Sequence, residues 1–191
     1  MKQQITLTLA ALVSAMIFWA PYLKAEDQDP GKPDTVRTES IKAKAGKQAI
    51  IGMKIFADDS IFYNDKPWVG VGSLCIPLKY DANAFKLDSI KYTGTLAQWD
   101  EKFTNPRIDT GFVSIGGIYS IAGKDRPLIH CPDSSQTMAL LYITVNKTAK
   151  PGAYKFEMTD DPVQKEAYLG SPNGVNGWKP VFASGKIVIE K

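Results

Sequence analysis

VGVGSLCIPLKYDANAFKLDSI, residues Val69 to Ile90, holds two apolar alternations joined by a turn signal. Leu74, Ile76, Leu78 and Tyr80 recur at every second position and alternate with Cys75, Pro77 and Lys79, so one face is apolar and the other mixed, as in a strand. Asp81-Ala82-Asn83 then turns the chain, because an aspartate oxygen accepts from an amide two residues on and asparagine tolerates unusual backbone angles. Phe85, Leu87 and Ile90 resume the apolar pattern. Pro77 has no amide to donate, which predicts a free edge or a bulge at that point.

The same period of two extends outward in both directions. Ala49, Ile51, Met53 and Ile55 alternate with Ile50, Gly52, Lys54 and Phe56; Phe112 to Ile118 is a glycine-rich strand; and Met138 to Val145 is the strongest strand of the chain. Further strands are expected at Tyr154 to Met158 and Val181 to Ile189, with turns at Gly46 and at Lys150-Pro151-Gly152, where proline fixes one turn residue and glycine is expected at positive φ. Only Leu96, Trp99 and Phe103 show helical spacing, which predicts one or two helical turns between Gly94 and Phe103. Eight or nine short strands separated by turn residues predict an all-β sandwich.

Length bounds this to one domain, since 191 residues support a single core, and 44% hydrophobic with 23% charged residues is ordinary for a folded chain. Residues 1–25 are set apart from it. Lys2 precedes an apolar run from Ile5 to Trp19, and Ala25 precedes Glu26-Asp27, the pattern of a secretory signal peptide; a retained N-terminal anchor is the alternative. Glu26 to Asp34 (EDQDPGKPD) lacks any large apolar side chain and reads as a solvated leader, placing the domain at residues 35–191. Loss of Lys2 and Lys24 lowers the net charge from +3 to +1, and no basic run is long enough to track a phosphate backbone, so nucleic acid is a poor partner. In an exported chain, the even pair Cys75 and Cys131 is expected as one disulfide, with two buried thiols as the rival reading.

Four segments in order, AKAGKQAIIGMKI, the Val69 to Ile90 stretch, TMALLYITVNKTAKPGAYKF and FASGKIVIE, resemble a cohesin domain, the bacterial receptor module that binds dockerins. The resemblance covers most of residues 35–191 and implies a nine-stranded jelly-roll sandwich, an architecture shared with several carbohydrate-binding modules. It also implies a binding face on the strand before Tyr80-Asp81, where outward positions of cohesins carry polar groups for the dockerin helix. Ser73, Cys75, Pro77 and Lys79 stand at those positions here. A thiol or cystine sulfur forms only weak hydrogen bonds, so an altered partner specificity is expected. Under the same resemblance the strand after Cys131 runs beside the Cys75 strand, and the disulfide pins the loop Lys124 to Ser135 across the outer face.

Catalytic chemistry has little support. His130 is the single histidine, its side chain diverges from that of Cys131 on an extended chain, and His130, Cys131 and Asp133 lack zinc-site spacing. Asp58, Asp59, Asp109, Asp160 and Asp161 could pair for glycoside hydrolysis, but no spacing matches two of them across a cleft; they read better as solvated turn residues or as parts of a structural calcium site, the latter without an EF-hand loop, and no other cofactor is expected. Two functions follow. The first is a secreted, non-catalytic interaction module using Ser73, Cys75, Lys79, Tyr119 and Tyr142 to bind an exported, dockerin-like partner. The alternative is polysaccharide binding by exposed Trp68, Trp99, Trp178 and Tyr168. The destination after export is a periplasm, a cell surface or the medium.

Overall fold

Leu74, Ile76 and Leu78 do point into a core, and the strand that carries them is internal to a sheet. The computed structural model describes residues 29, 31–63, 66–107, 110–121, 123–160, 166–172, 174 and 176–190, without the side chains of residues 60–66, 68, 106 and 107. The expected signal peptide therefore lies outside the described residues, as do Asp109, Asp161 and the side chain of Trp68.

In chain order the strands are β1 (Thr35–Thr38), β2 (Ile41–Lys44), β3 (Gln48–Phe56), β4 (Ser60–Tyr63), β5 (Lys66–Val69), β6 (Ser73–Lys79), β7 (Phe85–Tyr92) and β8 (Glu101–Arg107). There follow β9 (Phe112–Ile118), β10 (Gln136–Val145), β11 (Gly152–Tyr154), β12 (Glu157–Met158), β13 (Tyr168–Gly170), β14 (Gly177–Trp178), β15 (Val181–Ala183) and β16 (Ile187–Glu190). One sheet has the order β15-β1-β3-β10-β7 and the facing one β14-β13-β6-β9-β8, with β12 also paired to β6. β11-β16-β2 forms a three-stranded extension, and β4-β5 a separate hairpin. The protein is thus an all-β sandwich, but among the described residues its pairing divides into sixteen strands, several only two to four residues long, and the expected nine continuous ones are not seen as such.

Much of that division comes from paired interruptions. β1 runs parallel to β15 and β2 parallel to β16, so the first and last stretches of the domain lie side by side and break together at Glu39-Ser40 and Ser184 to Lys186. At the break hydroxyls replace the ladder: Gly185 N donates to Thr38 Oγ1 at 2.9 Å and Lys186 N to Ser40 Oγ at 3.0 Å. Pro77 has a similar explanation. β6 pairs with β13 through Ser73 to Cys75 and with β12 through Leu78 and Lys79, so its partner changes at Ile76-Pro77. Thr159 N donates to Pro77 O on this side. A residue's N and O project to the same side of a strand. The missing proline amide therefore faces the gap between β13 and β12, which is how an internal strand accommodates it.

Period-two residues of both sheets meet in one apolar cluster that includes Ile51, Met53, Ile55, Ile76, Leu78, Ile115, Leu141 and Ile143. Tyr80, Phe85 and Phe156 pack at one end with centroids 5.2 to 5.6 Å apart, offset or tilted as ring quadrupoles favour. The turn between β6 and β7 has the expected chemistry, with Asn83 N donating to Asp81 Oδ1 at 2.8 Å. Gly152, by contrast, is not at positive φ and simply opens β11. The expected helical turns shrink to a 3₁₀ segment, Gly94–Gln98. Leu96 and Trp99 reach the core from it, but the chain is extended at Trp99 and Phe103 already belongs to β8, so the 3-and-4 spacing joins residues of two different elements. Among the described residues no helix is long and apolar enough to cross a membrane.

Candidate interaction face

The outer face of β13-β6-β9-β8 is built by the residues that alternate with the core positions. Registers align them in rows: Gly170, Ser73, Ile118 and Glu101; Tyr168, Cys75, Gly116 and Phe103; then Pro77, Ser114 and Asn105. Same-face neighbours on adjacent strands lie about 5 Å apart and touch. The Phe103 ring lies over Gly116, where an added Cβ would fall 2.1 Å from it, and Ser73 Oγ sits against Gly170, 2.3 Å from where a Cβ would be. Two glycines thus flatten the face and let neighbouring side chains fold across it.

This covering changes the role of Cys75, which is 1% exposed between Tyr168 on one side and Gly116 with Phe103 on the other. It presents nothing to a partner. Burial also pushes the half-buried Tyr168 phenol above its ordinary pKa, with Cys75 a lesser cause. Ser73 is half-buried, Pro77 is buried, and Lys79 is exposed at the end of β6 opposite Glu157 of β12. What the face does offer is apolar: Ile118 is 39% exposed, Phe103 and Tyr168 are half-buried beside it, and Ile121 just past β9 is 62% exposed. Asp100 closes this end by accepting from Arg126 Nε at 2.8 Å and pairing with its Nη2, which holds its carboxyl below the ordinary range.

Other expected site residues fall elsewhere. Tyr142 lies on β10, which pairs with β3 and β7 in the opposite sheet, so it shares no face with Ser73 and Lys79. Tyr119 packs partly against the core near Gly72. The strand after Cys131 is this same β10, not a neighbour of β6, and the two cysteines are accordingly thiols and not a disulfide. Cys131 Sγ donates to Ile55 O at 3.3 Å, on the β3 side of the sandwich, and burial pushes its thiol up. The loop Lys124 to Ser135 follows Cys131 to that side: Ile129 bridges Val71 and Cys131 N donates to Ala57 O, so the chain closes one end of the sandwich and does not cross the outer face.

The aromatic strip is also absent among the described residues. Trp99 and Trp178 are 1% and 2% exposed, and their indole N–H groups are satisfied internally, by Pro127 O at 2.9 Å and by Asp34 Oδ2 at 2.9 Å. Both are core residues lying under loops, because a buried indole keeps its place by finding an acceptor. His130 is exposed while Cys131 turns inward, and the two do not converge with Asp133.

A second constellation lies where sequence placed a solvated leader. Asp34 is fully buried against Trp178, and Asp29 Oδ2 accepts from Asp34 N at 2.7 Å, so the folded unit begins before Thr35. Asp29, Asp34 and Asp59 bring carboxylate oxygens within 4.8 Å of one another and are the one group of metal-ligating side chains found among the described residues. Burial raises both inner carboxyls, Asp34 to about 6 and Asp59 to about 9, with Asp34, Asp29 and Asp58 adding negative charge around Asp59. Cys131 is the remaining titratable neighbour facing Asp34. Because these folded-state values exceed the ordinary 3.8, the folded chain retains protons that the unfolded chain has released. The stabilisation is complete below about pH 4 and is lost as pH rises through the folded-state values. In chelator-containing buffer, Tm should therefore fall between about pH 5 and about pH 8.5; a flat or rising profile would contradict this.

The architecture has known counterparts. No protein-family model matches the sequence, and no curated protein is significantly similar to it. Among solved structures, a chain of a complex between CaCohA2 and a variant of CaDoc0917 superposes with a TM-score of 0.63 at 17% identity, over 82% of this chain and 99% of that one. CaCohA2 is from Clostridium acetobutylicum. This protein has a cohesin fold. The sixth cohesin of scaffoldin B from Acetivibrio cellulolyticus, solved with a Cel5 dockerin, matches at TM-score 0.63 and 9% identity over 83% of this chain and 99% of that one. A non-cellulosomal cohesin from the archaeon Archaeoglobus fulgidus matches at TM-score 0.55 and 14% identity, over 83% and 92%. The same fold is thus formed here by a sequence that shares few residues with these chains.

Proposed function

We propose that this protein is an exported, non-catalytic interaction module that receives a dockerin-like domain on the outer face of β13-β6-β9-β8, with a specificity unlike that of other cohesins. The observation that carries the reading is the apolar surface at Ile118, Phe103 and Tyr168 on a hydrogen-bonded sheet flattened by glycine, bordered by Glu101 and Lys79. A sheet face of this kind suits the apolar side of a partner's helix, with the charges at its border setting orientation. Several of the superposed cohesins were solved with dockerins, which supports the partner class. The altered specificity follows from the shortage of polar groups at the face's centre, where Cys75 and Pro77 are buried and Gly116 lies under Phe103.

Binding should be measured against a panel of purified dockerins by calorimetry, using the wild type, Ile118→Glu and Ser73→Arg. At least one dockerin should bind, and Ile118→Glu should weaken it by roughly 30-fold, the ratio of a 2 kcal/mol hot spot, with Tm unchanged. A panel without a binder, or binding indifferent to both substitutions, would sink the proposal.

A further inference from the structure

The acidic constellation joins three parts of the chain: Asp29 in the segment before β1, Asp34 just ahead of β1, and Asp59 just ahead of β4. Asp59 is 0% exposed, and neither of its carboxylate oxygens accepts from an N–H or hydroxyl group; Asp34 Oδ1, also buried, is in the same state, and the two carboxyl groups lie within hydrogen-bond reach of each other. Buried polar atoms are nearly always satisfied, and three unsatisfied oxygens in one cluster call for a positive partner. The surroundings supply none. The charged groups bearing most on Asp59 are Asp34, Asp29 and Asp58, all negative. Protein donors do reach the periphery: Asp34 N and Gly31 N bond Asp29, Lys32 N bonds Asp58 Oδ1, and Trp178 Nε1 bonds Asp34 Oδ2. The inner oxygens alone are left facing one another.

We propose that Asp29, Asp34 and Asp59 bind one calcium ion, which ties the start of the folded chain to the β3–β4 connection. The donors are all hard carboxylate oxygens without a nitrogen or sulfur ligand in the group, which disfavours zinc. Calcium bonds oxygen at roughly 2.3–2.6 Å, so two of its ligands lie up to about 5 Å apart, a span the 4.8 Å cluster satisfies. Backbone carbonyls and water complete its usual six to eight ligands. Of the three carboxylates only Asp29 is less than fully buried, so an ion would enter from its side. Through the Trp178 indole the ion also braces β14, so one site fastens an N-terminal segment to strands of both sheets. The competing arrangement is a single proton shared between Asp34 and Asp59, which needs no metal.

The whole protein, stripped with EGTA and desalted at about pH 7.5, should be titrated with calcium chloride while Tm is followed and stoichiometry is measured by calorimetry. One calcium should bind per chain and raise Tm by several degrees, more than magnesium at the same concentration, because bound ligand stabilises only the folded state. Asp59→Asn should abolish the calcium-dependent rise while leaving the stripped protein at least as stable as the stripped wild type. Should that variant fail to fold, terbium added to the wild type reads the same site. Its luminescence, sensitised through Trp178 against Asp34, should appear on excitation of tryptophan and be displaced by calcium. No rise in Tm together with no terbium signal would establish the shared proton and overturn the proposal, as would an equal rise in Asp59→Asn. An equal rise with magnesium would overturn the calcium assignment.

Discussion

Trp99→Ala is expected to destabilise the protein by about 3–5 kcal/mol, the range for removing a fully buried large aromatic side chain. Trp99 is 1% exposed, and its ring rests on the β9 backbone: a Cβ added to Gly117 would lie 2.9 Å from Trp99 Cε3. The β9 backbone beneath the ring cannot follow it, so the truncation is expected to leave a cavity. The substitution also strands Pro127 O, the acceptor of the indole N–H. In urea the unfolding midpoint should fall accordingly, and Tm should drop by roughly 10 °C or more. Trp99→Phe keeps most of the volume and should lose only about 1–2 kcal/mol. A loss below about 1 kcal/mol in the alanine variant would mean that the ring is not part of the core. The comparison also bears on carbohydrate binding, since any loss of polysaccharide affinity in Trp99→Ala must first be separated from unfolding.

Gly111→Val should be comparably severe for a different reason, lodged in the backbone. Gly111 has φ 66°, a left-handed conformation that disfavours any side chain by roughly 1–2 kcal/mol and a β-branched one by more. A Cβ there would fall 2.1 Å from Tyr80 O and 3.3 Å from Ala82 N, both backbone atoms with little freedom to retreat. The displaced segment includes Tyr80, whose N donates to Gly111 O at 2.7 Å and whose ring stacks on Phe85. Conformational penalty and displacement together should cost about 3 kcal/mol or more. Gly123→Val is the internal control, because φ there is 68° yet nothing lies within 4 Å of the added Cβ. It should lose only the conformational part. Equal Tm values for the two variants would show that the close approach of Gly111 to the β6–β7 turn carries no energy.

The two sites proposed for this molecule use different residues and are tested separately. The interaction face depends on residues of β6, β8, β9 and β13, while the acidic cluster lies before β1 and beside β4. Ile118→Glu leaves every carboxylate of the cluster in place, and Asp59→Asn leaves the apolar face unaltered.

By itself, the chain's local pattern determined the all-β character, the inward set Leu74, Ile76, Leu78, Ile51, Met53 and Ile55, and the Asp81 turn. Each depends on residues within a few positions of one another, where a period of two or a short side chain beside a backbone amide decides the outcome. Only the tertiary structure decided which strands share a sheet, because pairing is a contest among segments far apart in sequence. That contest put Cys131 and Tyr142 with the β3 sheet and Cys75 with the other, so the expected disulfide and five-residue partner site came apart. It covered Cys75 with Tyr168, and it buried Trp178 by giving it Asp34, 144 residues away, as acceptor. The apolar face at Ile118 and Phe103 was hidden in the sequence for the same reason, since each reads there as one more core residue. EDQDPGKPD read as solvent-facing because its composition is polar; the packing that buries Asp34 and collects Asp29 and Asp59 around it is supplied by segments that no local window contains.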